Sequence, residues 1–596
     1  MIVCLRATLA FSVTLCSLSA FSAASDRCPR PAIGGVVREP ADLRSVNGVL
    51  DANLTIRNSK EPDGSLRYCY FDGKGNEAPT LRVSPGDRVV LHLKNELVDL
   101  EGTPSAHAAH AREAVTKSKD PCSSAIMSPI ATNLHFHGLT IPPKCHQDEV
   151  LHTSIQPGDP PFTYEFQIPA DESPGMYWYH PHIHGFAKTE LLGGASGAII
   201  VEGTERADKA VAGLAERVFV VRDQDLLYPD APPSKKESAV PALLLDSDGD
   251  TVNTGTGGGR PAKDLSINFV PVPYPEYEPA VIEMKPGEKQ LWRVLNASGL
   301  TYLNLTLLRD GSAQEVGLIS LDGVPMNTNG GPADFVYWTT RLGVPPGSRV
   351  EFIVSGPAAG TTEMLVTRTV DTGPGGENDP NRALAVLKPV ANASESRVKL
   401  DAKPQPLPRS NKQWLGDVAP VRVRKLYFSE KLQDPNNPAS ADEFYLTPEG
   451  ETAQMFDMNA KTPNIVVKQG TVEDWIIENR SNEVHAFHIH QLHFLLMESG
   501  GGPVDEPYLR DTINVPYHQG NLPDFPAIRV RMDFRDPNIV GTFLYHCHLL
   551  DHEDKGMMGS IEVLPADSPR QASKNGLCTG TESDPCSNFN TPPPTK

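Results

Sequence analysis

Apolar and polar positions along the chain alternate in short runs, broken by Gly, Pro, Asn and Asp, which predicts many short strands joined by turns. Three stretches share one layout. Leu81-Arg-Val-Ser-Pro-Gly86 leads to Asn95 through Val89, Val90, Leu91 and Leu93. Ile282-Glu-Met-Lys-Pro-Gly287 leads to Asn296 through Leu291, Trp292 and Val294. Ile465-Val-Val-Lys-Gln-Gly470 leads to Asn479 through Trp475, Ile476 and Ile477. The step from glycine to asparagine is the same in all three. Each reads as a strand, a tight turn at a residue that tolerates positive φ, and a second strand. Copies at intervals of about two hundred residues predict an all-β chain of three consecutive β-sandwich domains. Their expected bounds are 25–204, 205–405 and 406–565. The first ends in the strand Ala198-Ile-Ile-Val-Glu202 and the third in Gly559-Ser-Ile-Glu-Val563. Residues 566–596 read as a tail, and the polar segment 101–131 as a surface insertion.

A chain of 596 residues is long enough for several domains. Its hydrophobic share of 39% and charged share of 21% suit a folded soluble protein. The formal charge of −20 argues against general affinity for nucleic acid or anionic membranes. It suits cationic substrates or metal ions, and equally an ordinary acidic surface. Residues 1–24 read as a signal peptide: one positive charge in Met1 to Arg6, a mostly apolar run from Ala7 to Leu18, and small residues at Ser22-Ala23-Ala24. An uncleaved anchor is the alternative, but the apolar run is short for a span. The mature protein is expected to be secreted or periplasmic, without a membrane span, and monomeric.

With Cys4 and Cys16 in the signal, seven cysteines remain, and an odd number in an exported protein points to one thiol with another task. Cys547, between two histidines, is that thiol. The other six allow three disulfides, with Cys122–Cys145 and Cys578–Cys586 suggested by proximity and the pairing left open. All eighteen histidines fall in 92–184 or 485–552, and the middle third has neither histidine nor cysteine. Most sit in four motifs: His135-Phe-His137, His180-Pro-His182-Ile-His184, His485-Ala-Phe-His488-Ile-His490 and His546-Cys547-His548 with His552 and Met557. On a strand, i and i+2 share a face. One such pair is weak support for a metal; four together, with a lone thiolate and a thioether, point to copper. Zinc sites of CxxC-type spacing are absent from the sequence.

The run His546-Cys-His-Leu-Leu-Asp-His552-Glu-Asp-Lys-Gly-Met557-Met558 and the run Trp178-Tyr-His180-Pro-His182-Ile-His-Gly185 closely resemble those of multicopper oxidases. The resemblance covers nearly the whole mature chain. It implies three cupredoxin-like Greek-key domains and four copper ions as cofactors. It makes His485, Cys547 and His552 type 1 copper ligands, with Met557 axial in preference to Met558. His135 and His488 would hold the type 2 copper, and His137, His180, His182, His490, His546 and His548 the type 3 pair. Ala486 departs from the proline usual after the type 1 histidine. His184 and His493 are expected to pack or to support ligands. Asp148 and Glu553 resemble the family's carboxylates that serve proton supply.

Because the ligand motifs lie at opposite ends of the chain, the copper cluster is expected between the first and third domains, with the second as a spacer free to shape a substrate surface as well. The leading functional reading is a laccase-type oxidase. Phenols or similar small reducing substrates would give up single electrons near His485, and dioxygen would be reduced to water. The alternatives are a metallo-oxidase for ferrous or cuprous ions and a non-enzymatic copper-binding or cell-envelope protein. A two-domain nitrite reductase is disfavoured by the third repeat.

Overall fold

A computed structural model describes residues 28–61, 64–100, 120–232, 260–393, 400, 412–437, 439–504, 506–520 and 523–577. Six sheets pair into three successive β-sandwich units, with only short helices such as Ala187–Leu192 and Leu550–Asp554. The expected signal peptide, the Cys578–Cys586 pair and much of the 101–131 insertion lie outside the described residues.

The internal repeat occupies the same place in each unit. Its first strand (Thr80–Val83, Ala280–Met284, Ile465–Lys468) runs parallel to the unit's closing strand (Gly197–Val201, Arg382–Pro389, Met558–Leu564). Its second strand (Arg88–Asn95, Lys289–Asn296, Thr471–Asn479) belongs to the opposite sheet, parallel to the unit's opening strand (Val49–Lys60, Ala215–Gln224, Arg422–Leu432). The turn between the two carries the chain from one sheet to the other. Gly86, Gly287 and Gly470 make it at φ of 88°, 68° and 92°, where a Cβ is strained.

The repeat's asparagine is structural. Asn95 donates to the carbonyls of Ile130 and Ile155, Asn296 to those of Thr301 and Val344, and Asn479 to those of Glu483 and Val515. Each Oδ1 accepts the N–H two residues on. A buried amide thus satisfies polar backbone where the strand ends. Asn296 and Asn479 are fully buried, so those two Asn-x-Ser motifs present no side chain for glycosylation in the folded protein.

Each unit has its own apolar core. A further cluster joins all three: Trp178 and Ile200 from the first, Val220 and Leu295 from the second, and Leu550 from the third. This joint fixes the first and third units against each other where the histidine motifs lie. Among the described residues, no helix is long and apolar enough to cross a membrane.

Candidate metal centre

Strand alternation sorts the motif residues. Strand His135–His137 pairs antiparallel with Gly175–His180, placing His135 opposite His180, while Phe136 between the two histidines enters the first unit's core. Strand His485–Ile489 pairs with Gly541–Cys547, placing His488 opposite His546 and Phe487 opposite Cys547. Phe487 and Cys547 enter the third unit's core. His488, His490, His546 and His548 form the opposite face, against the histidines of the first unit.

Eight imidazoles meet there. The rings of His137, His180 and His548 lie 5.2–5.8 Å apart, and those of His182, His490 and His546 lie 5.0–5.3 Å apart. His135 and His488 are 6.1 Å apart. His135 stacks on His490 at 3.8 Å and His137 on His488 at 3.9 Å. Ligand atoms of His182, His490 and His546 all lie within 4.8 Å of one another, as do those of His135, His488 and His490.

Whether the nest suits a metal is decided by its nitrogens. One ring nitrogen of most of these residues is tied from behind. His135 Nδ1 lies 3.0 Å from Asp148 Oδ2, His137 Nε2 3.2 Å from Asp511 Oδ1, and His488 Nδ1 2.9 Å from the Asp511 carbonyl. The Nδ1 atoms of His180 and His546 each lie 3.0 Å from a backbone carbonyl. Several ring nitrogens of the nest have no hydrogen-bond partner: Nε2 of His135, His180, His182 and His488, Nδ1 of His137 and His490, and both of His548. Buried polar atoms left unpaired in such number are costly unless a ligand completes them. Burial holds His135, His137, His180, His488 and His490 well below the ordinary histidine range and His548 at about 3, with facing imidazoles adding to the shift. These rings are neutral and present lone pairs. The residues fit a group of metal ions.

Across the strand, Cys547 Sγ lies 3.5 Å from His485 Nδ1 and 3.8 Å from His552 Nδ1, and the two Nδ1 atoms are 3.2 Å apart. Burial pushes the Cys547 thiol well above its usual range, so a thiolate there requires a bound cation. Met557 is buried in the same apolar cluster as Cys547, and its carbonyl accepts the Cys547 N–H at 3.1 Å. Met558 packs instead against Val150, Phe456 and Leu544.

The two carboxylates singled out in the sequence border the nest. Asp148 also accepts the Phe136 N–H at 2.8 Å and the Gln491 amide, and burial pushes its carboxyl up to about 7. Glu553 has one oxygen 3.5 Å from His182 Nε2 and the other 3.1 Å from His546 Nδ1, without the alignment of a hydrogen bond. His184 and His493 stand outside the nest: His184 packs edge-on against Phe456, and His493 Nε2 lies 2.9 Å from the Asp322 carbonyl.

Three features have no mark in the sequence. Asp511 reaches His137 from the first unit and His488 from the third, and it is held by both Nη atoms of Arg349 from the second, at 2.9 and 2.7 Å. The second unit is therefore more than a spacer. Next, Glu430 Oε1 lies 3.1 Å from His485 Nε2, and Glu483 Oε1 lies 3.3 Å from His552 Nε2. Last, the two imidazoles beside Cys547, whose Nδ1 atoms are 3.2 Å apart, differ in their surroundings. His485 is fully buried with Ser481 Oγ 2.8 Å from its Nε2, whereas His552 lines a cavity of about 150 Å³. Leu300 and Tyr302 of the second unit and Phe444 and Leu549 of the third form much of the apolar wall. Cys122–Cys145 is a disulfide as expected, and Cys28–Cys69 is a second; among the described cysteines only Cys547 is free.

A β-sandwich chain with a buried Cys-His₂ set beside a nest of neutral imidazoles defines a metalloprotein of copper type. Two family models, each described as multicopper oxidase, match residues 126–206 and 428–567, the segments that carry the ligand motifs. A laccase of Bacillus subtilis is 22% identical over 81% of this chain and 88% of its own length. An iron transport multicopper oxidase of Candida albicans is 25% identical over 86% of this chain and 75% of its own. The structure of a multicopper oxidase from Campylobacter jejuni, described as a metallo-oxidase, shares the fold with a TM-score of 0.59 and 22% identity. It matches over 90% of this chain and 96% of that one. The chain belongs to the multicopper oxidases, copper-binding oxidoreductases that take electrons from a reducing substrate and use dioxygen as acceptor.

Proposed function

We propose that this chain is a laccase-type oxidase of small one-electron donors, reducing dioxygen to water. In this reading His485, Cys547 and His552 hold a type 1 copper with Met557 axial, His135 and His488 a type 2 copper, and His137, His180, His182, His490, His546 and His548 a type 3 pair. The observation that carries it is the nest of eight buried imidazoles from the first and third units, with several ring nitrogens left unpaired. Copper in these positions supplies one-electron oxidation at the thiolate site and dioxygen reduction at the imidazole site.

The chain's own residues do the rest. His546 and His548 flank Cys547 and face the other way, so single peptide links join the two sites. Asp148 and Glu553 border opposite parts of the nest, placed to pass protons to what is bound there. The donor lies in the cavity at His552, against Leu300, Tyr302, Phe444 and Leu549. Two disulfides support an oxidising, extracytoplasmic location, with 1–24 as the leader.

A metal-ion donor, ferrous or cuprous, is the second reading. The observation that favours it is the pair of buried carboxylates, Glu430 and Glu483, set against the outer edges of both type 1 imidazoles. Oxygen uptake by copper-loaded protein with a phenol, ferrous ion and cuprous ion decides between them. The phenol is expected to be oxidised, with water rather than peroxide as product. Turnover of metal ions alone, lost in Glu430→Gln, moves the assignment to the second reading. Blue, copper-loaded protein that consumes no oxygen with any donor removes the enzyme reading.

A further inference from the structure

A second polar cavity, of about 230 Å³, opens between the N-terminal segment and first unit on one side and the second unit on the other. Its wall contains Arg38, Glu39, Asn76, Glu77, Arg222, Asn268 and Phe269, and Glu39 is ion-paired with Arg217. Arg222 is 3% exposed, yet no carboxylate pairs with it among the described residues. Its Nε donates to Ser196 Oγ at 2.8 Å and its Nη2 to the Ser196 carbonyl at 2.7 Å, leaving Nη1 without a protein acceptor. The other arginines no more exposed than this, Arg82, Arg293, Arg349, Arg382, Arg424 and Arg531, all meet carboxylates. Glu77 is near enough to act on Arg222 electrostatically but makes no ion pair with it, so Arg222 stands apart as a buried guanidinium with room for an anion. Glu77 is engaged by Arg30. Arg38 stands exposed at the rim, and its guanidinium has no partner among the described residues.

The backbone is strained at the same place. Asn268 and Phe269 form a two-residue turn between strands Asp264–Ile267 and Val270–Val272, with φ of 45° and 68°. Turns of this kind favour glycine at the second position, not phenylalanine. Asn268 is tied to the backbone of Arg38, Val218 and Val220. That turn sets the Phe269 ring between two guanidiniums, Arg30 at 4.2 Å and Arg222 at 4.0 Å. Gly194 allows the approach, since a Cβ there would lie 2.7 Å from Arg30 Nη2 and 3.1 Å from the Phe269 ring. Strain kept to orient a cation at a cavity wall marks a built site.

We propose that this cavity binds a small oxyanion, a phosphate or a carboxylate, which accepts from Arg222 Nη1 and from the Arg38 guanidinium. Guanidinium forks match both head groups. The proposal does not depend on the copper reading.

Titration calorimetry and thermal midpoints of the copper-loaded full chain test it, with inorganic phosphate and succinate as probes at ionic strength held constant with chloride. Saturable binding of either probe is expected, and which one binds names the head group. Arg38→Gln should weaken it about tenfold, the loss of one charge-assisted hydrogen bond. Arg222→Gln should abolish it, with blue absorption and oxygen uptake unchanged. Should Arg222→Gln fail to fold, Arg38→Gln decides alone. No saturable effect beyond that of chloride, or equal binding by Arg38→Gln, overturns the proposal.

Discussion

At the join of the first and second units, Arg82 and Arg293 both reach Glu216, and Arg293 also meets Glu351. Arg82 further meets Asp42 and Glu202, and Glu351 accepts the Met176 N–H. At the join of the first and third units, by contrast, a comparable number of buried polar side chains turn unpartnered nitrogens toward one another. Arg293, Glu216 and Glu351 are as buried as the apolar core, while Asp42 and Glu202 at the edge of the seam are partly exposed. One join closes on itself charge against charge, leaving Arg293 Nε as a buried nitrogen without a partner. The other is left incomplete by the protein and becomes stable only with what it binds. The difference separates a seam that holds units together from a site that does chemistry between them.

The largest effect expected from this contrast follows Cys547→Ser. Loss of the thiolate should abolish the blue absorption and donor oxidation while far-ultraviolet circular dichroism stays that of the folded protein. A surviving blue band would remove Cys547 from the type 1 site. Copper removal comes next. Ligand binding stabilises by about 4 kcal/mol per site at a thousandfold excess over the dissociation constant. Chelated protein should therefore unfold roughly 10 °C below the loaded form. An unchanged midpoint would mean that the nest is satisfied without metal, and the contrast would fail.

Much of this was legible in the sequence because the signals were chemical or conformational. The repeat showed through glycines that must turn at positive φ and asparagines that must close the strand end. The clustered imidazoles showed through histidine pairs two apart on strands, and the lone buried thiol through cysteine parity. Asp511 showed through nothing: one acid beside Arg510 has no period, and its partners His137 and Arg349 come from other units. Glu430 and Glu483 are likewise single acids without a period, although their partners His485 and His552 belong to the same unit. Which of His485 and His552 borders a cavity was not legible, because it depends on how Leu300 and Tyr302 of another unit pack beside His552. Spacing carries local geometry; it does not carry which unit closes over which ring.

The seam provides the complementary test. Glu216→Gln leaves two buried guanidiniums short of charge, which should cost about 3–5 kcal/mol and lower the thermal midpoint. Blue absorption of the copper-loaded variant should be unaffected at temperatures where it is folded. If the blue band were lost along with stability, the two joins would be one cooperative structure and the contrast drawn between them would be mistaken.

The smallest effect is the acid limb of stability. Burial alone would raise the Glu216 carboxyl, but Arg293 and Arg82 outweigh it and hold the pKa at about 2, below the ordinary 4.5. A carboxyl whose folded pKa is depressed binds its proton more readily when unfolded. Its contribution is therefore complete above about pH 4.5 and is lost as pH falls toward 2. The shift corresponds to about 3 kcal/mol. Copper-free protein isolates this window, because acid also competes with metal for imidazole in the loaded form. Its midpoint should fall between about pH 4.5 and 2, and Glu216→Gln, already less stable, should fall by less over the same range. Parallel curves for the two proteins would place the acid sensitivity elsewhere and leave the seam's charges without the weight assigned to them.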